Sequence, residues 1–525
     1  MEIDVDGNTL LEPADLQTVL EPFLGPGRKA EDVDQARETL EKLYRELGYR
    51  TVNVSIPQQT IKDGVIRLEV VEGRVSRLTV SGSKYTSLDR VRSEVPSLAE
   101  GQVPDFNQVE RDLVYANRYQ TRKVTPSLRA GPSPGTYYID LNVEDHFPLH
   151  ANAEYNNRAT RGTTPRRAIA GLGYDNLFQL GHSASFTFQT APERTQDSRL
   201  YIASYIAHIV DETWSLFFNS LKSDTDVSAF PGVEVVGAST NIGVKLVKQF
   251  PDLGGKLYPS MSLGVDYKKI DTVVRLSSAT GNSDFSTPVR YYPLTLAYSQ
   301  LLHLETQTLQ SDLTLGFTTL ATASSRDQLD FDQNRLGYRG QSFYLRGSNN
   351  YSLDLPAGFG IGLRMSGQIT DRPLVSGEQF TSGGQDSVRG YLEAEVAGDE
   401  GASGSFELRG PSIPDLFAGS RWSTILAEFR PYAFFDAATV SLDGEIAAGT
   451  PRSSALTSYG GGLSIRIRDQ FTATLDWALP LRDGPQGSSE STCTPGANGE
   501  LVCPSGAPPT KKGDGRLLFR LSAQL

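Results

Sequence analysis

The hydrophobic and polar positions divide the chain into two parts with different periods. In the N-terminal part, apolar residues recur at helical spacing, and Gly48 follows them where a helix C-cap is expected. The apolar face of this predicted helix consists of Val33, Ala36, Leu40, Leu43, Tyr44 and Leu47. From Leu149 onward the helical period is replaced by alternation of apolar and polar residues, which indicates strands.

Within the first 147 residues the pattern of elements repeats. The first helical region is followed by two strand-like segments, TVNVSIPQQ and GVIRLEVVEG. A strand RVSRLTVSG, two helical segments ending in DFNQVERDLVYANRYQ, and a hairpin ending in GTYYIDLNVED then repeat the same order. A period of roughly 75 residues with the order strand, helix, helix, strand, strand predicts two α+β modules, at residues 1–74 and 75–147.

The alternating segments of the C-terminal part each have one apolar and one polar face. In RLLFRLSAQL the apolar face contains Leu517, Phe519, Leu521, Ala523 and Leu525, while Arg516, Arg520, Ser522 and Gln524 form the polar face. GLSIRIRD and FTATLDWAL follow the same rule and place Arg466, Arg468 and Asp476 on polar faces. A soluble sandwich would bury the apolar face, whereas a membrane barrel would turn it to lipid and line a lumen with the polar one.

The lengths of the segments and of their connections favour the barrel. Short turns such as FQLGHS and PDLGG alternate with long polar loops such as DGEIAAGTPRSS, as in outer-membrane barrels. We count about sixteen strand-like segments after Leu149, an even number that returns the chain to the side of the two modules. The predicted fold is therefore a β protein: an antiparallel transmembrane barrel of ~16 strands at residues 148–525 that encloses a channel, preceded by two α+β modules.

Composition supports this class and excludes others. The 525 residues carry a net charge of -12, which argues against nucleic acid as a partner. Fifty glycines, 22 tyrosines and 23 phenylalanines, with three methionines, favour β structure. No apolar run reaches the ~18 residues of a membrane-spanning helix. No signal peptide is visible, and because Met1 leads directly into the strand-like EIDVDGNTL, we expect that a signal was removed.

Few residues suggest catalysis or metal binding. Cys493 and Cys503 lie in a Gly/Pro-rich segment with no histidine nearby, so a local disulfide formed in an oxidising compartment is favoured over two free thiols. The five histidines lack metal-ligand spacing, and no GxxxxGK[ST] loop or GxSxG elbow occurs. We therefore expect no enzyme activity, metal or cofactor.

Two groups of motifs resemble a known family. The N-terminal segment GYRTVNVSIPQQTIKDGVIRLEVVEGRV is similar to the POTRA domains of two-partner secretion transporters, the TpsB proteins of the hemolysin and filamentous-hemagglutinin secretion type. EQFTSGGQDSVRGY and AFFDAATV resemble the two barrel motifs of the wider superfamily, which also contains the barrel-assembly insertases. The resemblance extends over essentially the whole chain. It identifies residues 1–74 and 75–147 as POTRA domains.

The resemblance implies an inward-folded loop at about residues 375–402, carrying Val388, Arg389, Gly390 and Tyr391. In the family this loop enters the lumen, where its arginine pairs with an acid on the barrel wall. Carried over here, Arg389 pairs with Asp436, with Phe434 beside it. A planar guanidinium suits a carboxylate, and a buried guanidinium requires such a partner. From loop composition alone, the alternative is an exposed arginine without a role.

The implied function is export of a large, unfolded, β-rich exoprotein through the outer membrane, without nucleotide hydrolysis. The POTRA domains would lie in the periplasm and bind the client by strand addition at a sheet edge. We predict this edge in the strand containing Tyr137, Tyr138, Ile139 and Leu141; the alternative is that these residues pack on the helices of their own module. Further expected partners are outer-membrane lipid and the barrel assembly machinery.

Two other functions remain open at this stage. The first is an assembly factor that inserts outer-membrane barrels, because it would share the VRGY loop; two modules with the IPxQ pattern favour secretion over it. The second is a passive porin or receptor, which would leave both modules unexplained. The N-terminal plug helix that the family often carries is absent from this sequence or was removed.

Overall fold

The computed structural model describes most of the chain, and the observations below concern the described residues. Residues outside the description are 61–63, 118, 120, 162, 210–212, 225–226, 231–232, 237, 279–280, 320–334, 336–337, 339–340, 413–425, 447–450, 469, 486–493, 496–500, 503–509 and 525. The chain divides into two compact units, one of residues 1–148 and 175–180 and one of residues 149–174 and 181–525.

The first unit contains two modules with the same order of elements, as the sequence pattern predicts. The first module comprises β1 (Glu2–Asp6), α1 (Pro13–Leu20), a 3-10 turn (Glu21–Phe23), α2 (Ala30–Glu46), β2 (Asn53–Ser55) and β3 (Val65–Val71). The second comprises β4 (Arg74–Ser81), α3 (Leu88–Ser93), a 3-10 turn (Pro96–Leu98), α4 (Phe106–Ala116), β5 (Arg122–Ala130) and β6 (Thr136–Asp145).

Each module buries one face of its sheet under its helices. Helix α2 turns Val33, Ala36, Leu40 and Tyr44 into the first core, at the spacing that the sequence shows. The Tyr44 hydroxyl donates to Asn8 Oδ1 at 2.6 Å, which satisfies the polar end of a ring that is otherwise fully buried. The second core has the same composition of branched aliphatic residues, without an aromatic ring.

The sheet order of the second module corrects one prediction. The order is β4-β6-β5, with β6 parallel to β4 and antiparallel to β5. Strand β6 carries Tyr137, Tyr138, Ile139 and Leu141, so the prediction that these residues form an open edge is wrong, because both sides of β6 are already paired. Ile139 and Leu141 are fully buried in the core and the two tyrosines are half-buried, as the alternative of packing within the module required.

The second unit is a closed antiparallel barrel. Its chain runs through β7 (Leu149–Asn156), β8 (Arg167–Leu177), β9 (His182–Thr190), β10 (Arg199–Ile209), β11 (Trp214–Ser223), β12 (Val227–Phe230), β13 (Val233–Val236), β14 (Ala238–Gln249), β15 (Leu257–Ser278), β16 (Gly281–His303), β17 (Gln307–Thr319), β18 (Gln341–Asp354), β19 (Gly360–Thr370), β20 (Phe380–Ser382), β21 (Val396–Gly398), β22 (Glu400–Arg409), β23 (Leu426–Ser441), β24 (Ser453–Ile467), β25 (Phe471–Pro480), β26 (Thr494–Pro495), β27 (Leu501–Val502) and β28 (Arg516–Gln524).

Sixteen of these strands close the barrel, which confirms the predicted number and arrangement. The others form three separate pairs, β12 with β13, β20 with β21 and β26 with β27. Helices of 3-10 type occupy Pro356–Gly358 and Ser376–Glu378. Among the described residues, no helix is both long and apolar enough to cross a membrane.

The two faces of the barrel strands differ as the alternation predicts. On β25 the Trp477 side chain is 50% exposed on the outer surface, while its neighbour Asp476 is 1% exposed and turned inward. On β28 Leu517 and Leu521 are exposed, whereas Leu518, which breaks the apolar–polar pattern, lies on the inner side and is buried. An outer surface of leucine and aromatic side chains is suited to a hydrocarbon environment and would be unfavourable in water.

A carboxylate at the end of β6 organises the β4–α3 connection of the second module. Asp145 accepts hydrogen bonds from the backbone N–H groups of Lys84, Tyr85 and Thr86 at 2.8, 2.8 and 2.9 Å, and from the Ser83 hydroxyl at 3.0 Å. Partial burial by itself raises the pKa of Asp145, but these donors outweigh it, so the pKa lies below its ordinary value. The ionised carboxylate therefore stabilises the folded module.

We expect Asp145→Asn to destabilise the second module by ~1–2 kcal/mol at neutral pH, because the amide cannot satisfy all four donors. Since the folded pKa is depressed, the wild-type stabilisation is present above the unfolded pKa of about 4 and is lost as pH falls through the folded value. Hydrogen exchange of the second module in the full-length protein measures both effects. Asp89→Asn on α3, whose side chain is 96% exposed, is the control; equal protection in both variants contradicts the account.

Candidate functional site

The connection between β19 and β22 lies against the inner wall of the barrel. Inside it, β20 and β21 pair as a small hairpin, and residues 388–393 between them are all buried. Its contacts on the wall include those to Asp436 of β23 and Asp476 of β25. Both acids alternate with exposed outer residues, Phe435 and Trp477, so the wall residues that the loop contacts point into the lumen. The loop therefore occupies the lumen, in the arrangement that the family resemblance implies.

Arg389 forms a bidentate ion pair with Asp436. Its Nε and Nη2 atoms donate to the two carboxylate oxygens of Asp436, each at 2.7 Å, and its backbone N–H donates to Oδ2 at 3.0 Å. The remaining Nη1 donates to Glu407 Oε1 at 2.8 Å, and Nη2 also donates to Ser405 Oγ at 2.9 Å. The Phe434 ring covers one face of the guanidinium, with its centroid 3.5 Å from Cζ. Every polar edge of Arg389 is therefore matched, and its flat face is stacked.

The pair is buried among several acids. Arg389 is 2% exposed and Asp436 fully buried, while Asp476 lies 3.9 Å from Nη1 and is 1% exposed. Glu407 also forms ion pairs with Arg364 and Arg409, so these two wall arginines already compensate its charge. One guanidinium thus compensates two buried aspartates. Removing one partner of such an arrangement costs about 3–5 kcal/mol, because the remaining charges stay buried without compensation.

The other residues of the VRGY motif hold the loop tip in place. The Tyr391 hydroxyl lies 2.8 Å from the carbonyl oxygen of Arg482, just beyond β25, and 3.1 Å from that of Thr457 in β24, and its proton is shared between these two acceptors. Val388 is fully buried in an apolar cluster with loop and wall residues, namely Phe380, Tyr391, Val396, Ala438, Val440 and Leu456. Polar pairing and apolar packing therefore act on the same four-residue segment.

Gly390 is required by both conformation and space. Its φ is +90°, in the region that side chains disfavour, and a Cβ there would lie 3.2 Å from the Cβ of Ala478 and 3.3 Å from Pro480. The backbone next to Arg389 can therefore approach the wall of β25 closely enough for the arginine to reach Asp436.

The loop carries further buried acids whose partners the sequence reasoning did not identify. Glu378 accepts hydrogen bonds from Lys268 Nζ and from the Tyr291 hydroxyl. Asp399 is fully buried and accepts from Arg335, the Leu374 N–H and the Asp443 N–H. The acidic composition of the loop could have indicated such contacts, because acidic side chains in a segment that folds inward require cations or N–H donors. The sequence does not identify which residues these partners are.

The four lumen charges predicted from the strand pattern have different surroundings. Asp476 accepts hydrogen bonds from Tyr432 and from Gln385 of the loop. Arg466 pairs with Glu428 on the neighbouring strand, and Arg520 pairs with Glu154 of β7 and Asp386 of the loop. Arg468, just beyond β24, is exposed and has a φ of +50°. Two of the four therefore contact the inward loop itself.

The predicted disulfide between Cys493 and Cys503 lies outside the described residues. It remains a prediction.

Comparison with known proteins agrees with the fold and the site. Residues 135–465 match the family described as haemolysin secretion/activation protein ShlB/FhaC/HecB, and residues 1–73 match the POTRA domain of ShlB type. The outer membrane transporter CdiB of Dickeya dadantii is 24% identical over 78% of this chain and 71% of its own length. The heme/hemopexin transporter protein HuxB of Haemophilus influenzae is 19% identical over 89% of this chain and 80% of its own.

Solved structures show the same fold. CdiB from Escherichia coli superposes with a TM-score of 0.67 at 16% identity, covering all of this chain and 90% of that one. BamA from Haemophilus ducreyi, lacking POTRA domains 1–3, gives a TM-score of 0.56 at 14% identity, covering all of this chain and 99% of that one. The family match covers more than half of the chain, with the loop and both wall aspartates inside or next to it. The chain belongs to the ShlB/FhaC/HecB haemolysin secretion/activation family, the two-partner secretion transporters of the outer membrane.

Proposed function

We propose that the protein moves one large, unfolded exoprotein from the periplasm to the cell surface without nucleotide hydrolysis. The two POTRA modules lie in the periplasm and bind the client first, and the barrel then provides its path. A barrel of sixteen strands is wide enough for an aqueous channel. The observation that carries the proposal is the loop folded into this lumen and held there by the buried pair of Arg389 and Asp436.

The inner surface suits the passage of an extended polypeptide. Its charged groups are paired with one another, as in Arg466 with Glu428 and Arg520 with Glu154. Such pairs bind water, and because their charges balance, they attract a passing polypeptide only weakly. Apolar side chains are directed to the outside, where they contact outer-membrane lipid, and the barrel assembly machinery inserts the folded wall. Client folding outside the cell then makes the movement directional.

Within the second POTRA module, strand β5 is the better site for strand addition. The outer side of β4 is already covered: Val75 exchanges backbone hydrogen bonds with Gln102 and Gly101, and the Leu78 N–H donates to Glu100. These contacts leave no continuous edge for a peptide.

Among the described contacts, the outer side of β5 is occupied near its start. The Asn117 side chain donates to the carbonyl of Val124 and accepts from its N–H. The N–H and carbonyl of Val124 are therefore directed away from β6. Because backbone direction alternates along a strand, Pro126, Leu128 and Ala130 face outward as well. Proline lacks an N–H, which is tolerated at an edge. Leu128 is 38% exposed. We propose that an extended segment of the client pairs with the outward-facing backbone groups of β5 from Leu128 onward.

Arg389→Ala is expected to reduce secretion at least ~100-fold while the barrel still inserts. The substitution leaves Asp436 and Asp476 buried as uncompensated charges, and a loss of about 3 kcal/mol or more is enough to release the loop. Immunoblotting of the partner exoprotein, in medium and periplasm, gives the secreted fraction. Heat-modifiable migration of the transporter reports insertion.

Arg372→Ala is the matched control, because this arginine flanks the same loop but is half-exposed and, in the part of the chain that the structure describes, forms its ion pair with its neighbour Asp371. It should secrete normally. Normal secretion by an inserted Arg389→Ala barrel removes the role assigned to the pair.

Leu128→Pro tests strand addition at β5. The substitution deletes one outward N–H and leaves the ladder to β6 intact, so we expect about tenfold weaker binding of the purified N-terminal domain of the exoprotein. Leu128→Ala keeps the N–H and removes the side chain, and should bind more nearly like the wild type. Biolayer interferometry with the full transporter in micelles measures both. Equal affinity in the wild type and the proline variant places the client elsewhere.

A further inference from the structure

The barrel closes through a short ladder between its first and last strands. Among the described residues, which exclude position 525, strands β28 and β7 pair over five residues each, from Arg520 opposite Asn156 to Gln524 opposite Asn152. The ladders on either side, between β25 and β28 and between β7 and β8, each extend over eight. We refer to the β28–β7 pairing as the seam. Because the seam has fewer main-chain hydrogen bonds than the adjacent strand pairs, we expect it to open more readily than they do.

A side chain extends the seam where the main chain stops. Asn157, the first residue after β7, donates from Nδ2 to the Leu517 carbonyl at 2.7 Å and accepts from the Phe519 N–H at 2.9 Å. Its own N–H donates to the Phe519 carbonyl at 3.4 Å. The carboxamide reproduces one backbone pair, so one side chain and one long main-chain hydrogen bond, rather than a continued strand, hold the end of the seam.

The inward loop contacts both sides of the seam through one carboxylate. Asp386 Oδ2 lies 2.7 Å from Arg158 Nη1, two residues beyond the end of β7, as a close ion pair outside hydrogen-bond geometry. Asp386 Oδ1 accepts a hydrogen bond from Arg520 Nη2 of β28 at 3.1 Å. Asp386 is therefore a bridge between the two strand ends, and it belongs to neither strand.

The two arginines differ in how strongly they depend on the loop. Arg158 is 5% exposed at its side chain and also pairs with Glu393 of the loop, with Nε 2.9 Å and Nη2 3.2 Å from the two oxygens. Among the described contacts, its carboxylate partners are thus both on the loop. Arg520 is more open and has a second partner on β7, Glu154 at 3.4 Å.

We propose that the inward loop acts as a clasp for the seam, with Asp386 as its bridging group. When the loop is in the lumen, Asp386 links β7 to β28 and Glu393 neutralises Arg158. If the loop withdraws, Arg158 and Arg520 lose the carboxylate that they share and Arg158 also loses Glu393, so the charged link between the two strand ends is broken. Loop position and seam closure are therefore coupled. This coupling is a property of the transporter itself and does not depend on any client.

The anchor of the loop and the clasp lie close together in the chain. Asp386 is three residues before Arg389. Gln385, the residue directly before Asp386, donates a hydrogen bond to Asp476 of β25. A movement that breaks the Arg389–Asp436 pair therefore also displaces Asp386 from the seam. Release of the loop tip and loosening of the wall follow from one displacement.

Hydrogen exchange of Asp386→Asn tests the clasp in the full-length protein in micelles without any client. Asparagine fits the space but lacks the charge that holds both arginines. Peptides covering residues 150–157 and 516–524 should exchange about tenfold faster than in the wild type, while peptides from β14 to β18 keep their rates. Asp386→Glu retains the charge and should restore most of the protection.

Glu378→Gln is the matched control. It removes another loop carboxylate, whose partners Lys268 and Tyr291 lie on β15 and β16, away from the seam, so the seam rates should stay at the wild-type level. If Asp386→Asn does not fold, Arg158→Gln provides the same measurement, because the described ion pairs of Arg158 are both to the loop. Wild-type seam rates in the folded Asp386 or Arg158 variant, a uniform increase around the barrel, or an equal increase in Glu378→Gln would each overturn the proposal.

Discussion

A guanidinium buried in a barrel lumen must have a carboxylate in contact, and this requirement organises the second unit. Arg389 reaches Asp436 because Gly390 brings the loop backbone against β25, and it stays there because Tyr391 and Val388 secure the tip. Each of these contacts would be weak at a water-exposed surface. Inside the wall they act together, since the charges that depend on one another are not compensated by bulk solvent.

The ionic contacts of the loop join opposite charges on several sides of the lumen. The loop offers one arginine to acids of the wall, and it offers carboxylates to cations at three other places: Lys268, Arg335 and the pair of Arg158 and Arg520. These contacts surround the loop on several sides of the lumen, so the loop has one well-defined position. The segment that occupies the lumen is thus held largely through polar contacts, which can exchange with water more readily than those of an apolar plug.

Much of the architecture could be predicted because it follows from local pattern. Alternation along β25 and β28 identified the inner and outer faces, and the helical spacing of α2 identified its core face. The edge position assigned to β6 was wrong because it depends on pairing with β4, some sixty residues earlier, and no local signal in GTYYIDLNVED reports that partner. The same limit explains the missed contacts of Glu378, Asp386 and Glu393: their cations come from strands distant in sequence, and only the register of the closed barrel brings them together. The pairing of Arg389 with Asp436 came from family resemblance and from no pattern within this chain.

The central claim is that the loop tip is packed and paired against the inner wall of the barrel. Val388→Cys, in a background with Cys493→Ser and Cys503→Ser, tests it most directly, because Val388 is fully buried between loop and wall residues and the change leaves Gly390 in place. The account predicts that, in an inserted and folded barrel, this thiol reacts with a water-soluble maleimide at least about tenfold more slowly than in the same barrel carrying Arg389→Ala, in which the tip is released. Rapid labelling of Val388→Cys in the presence of Arg389, or equal rates with and without Arg389→Ala, would contradict it.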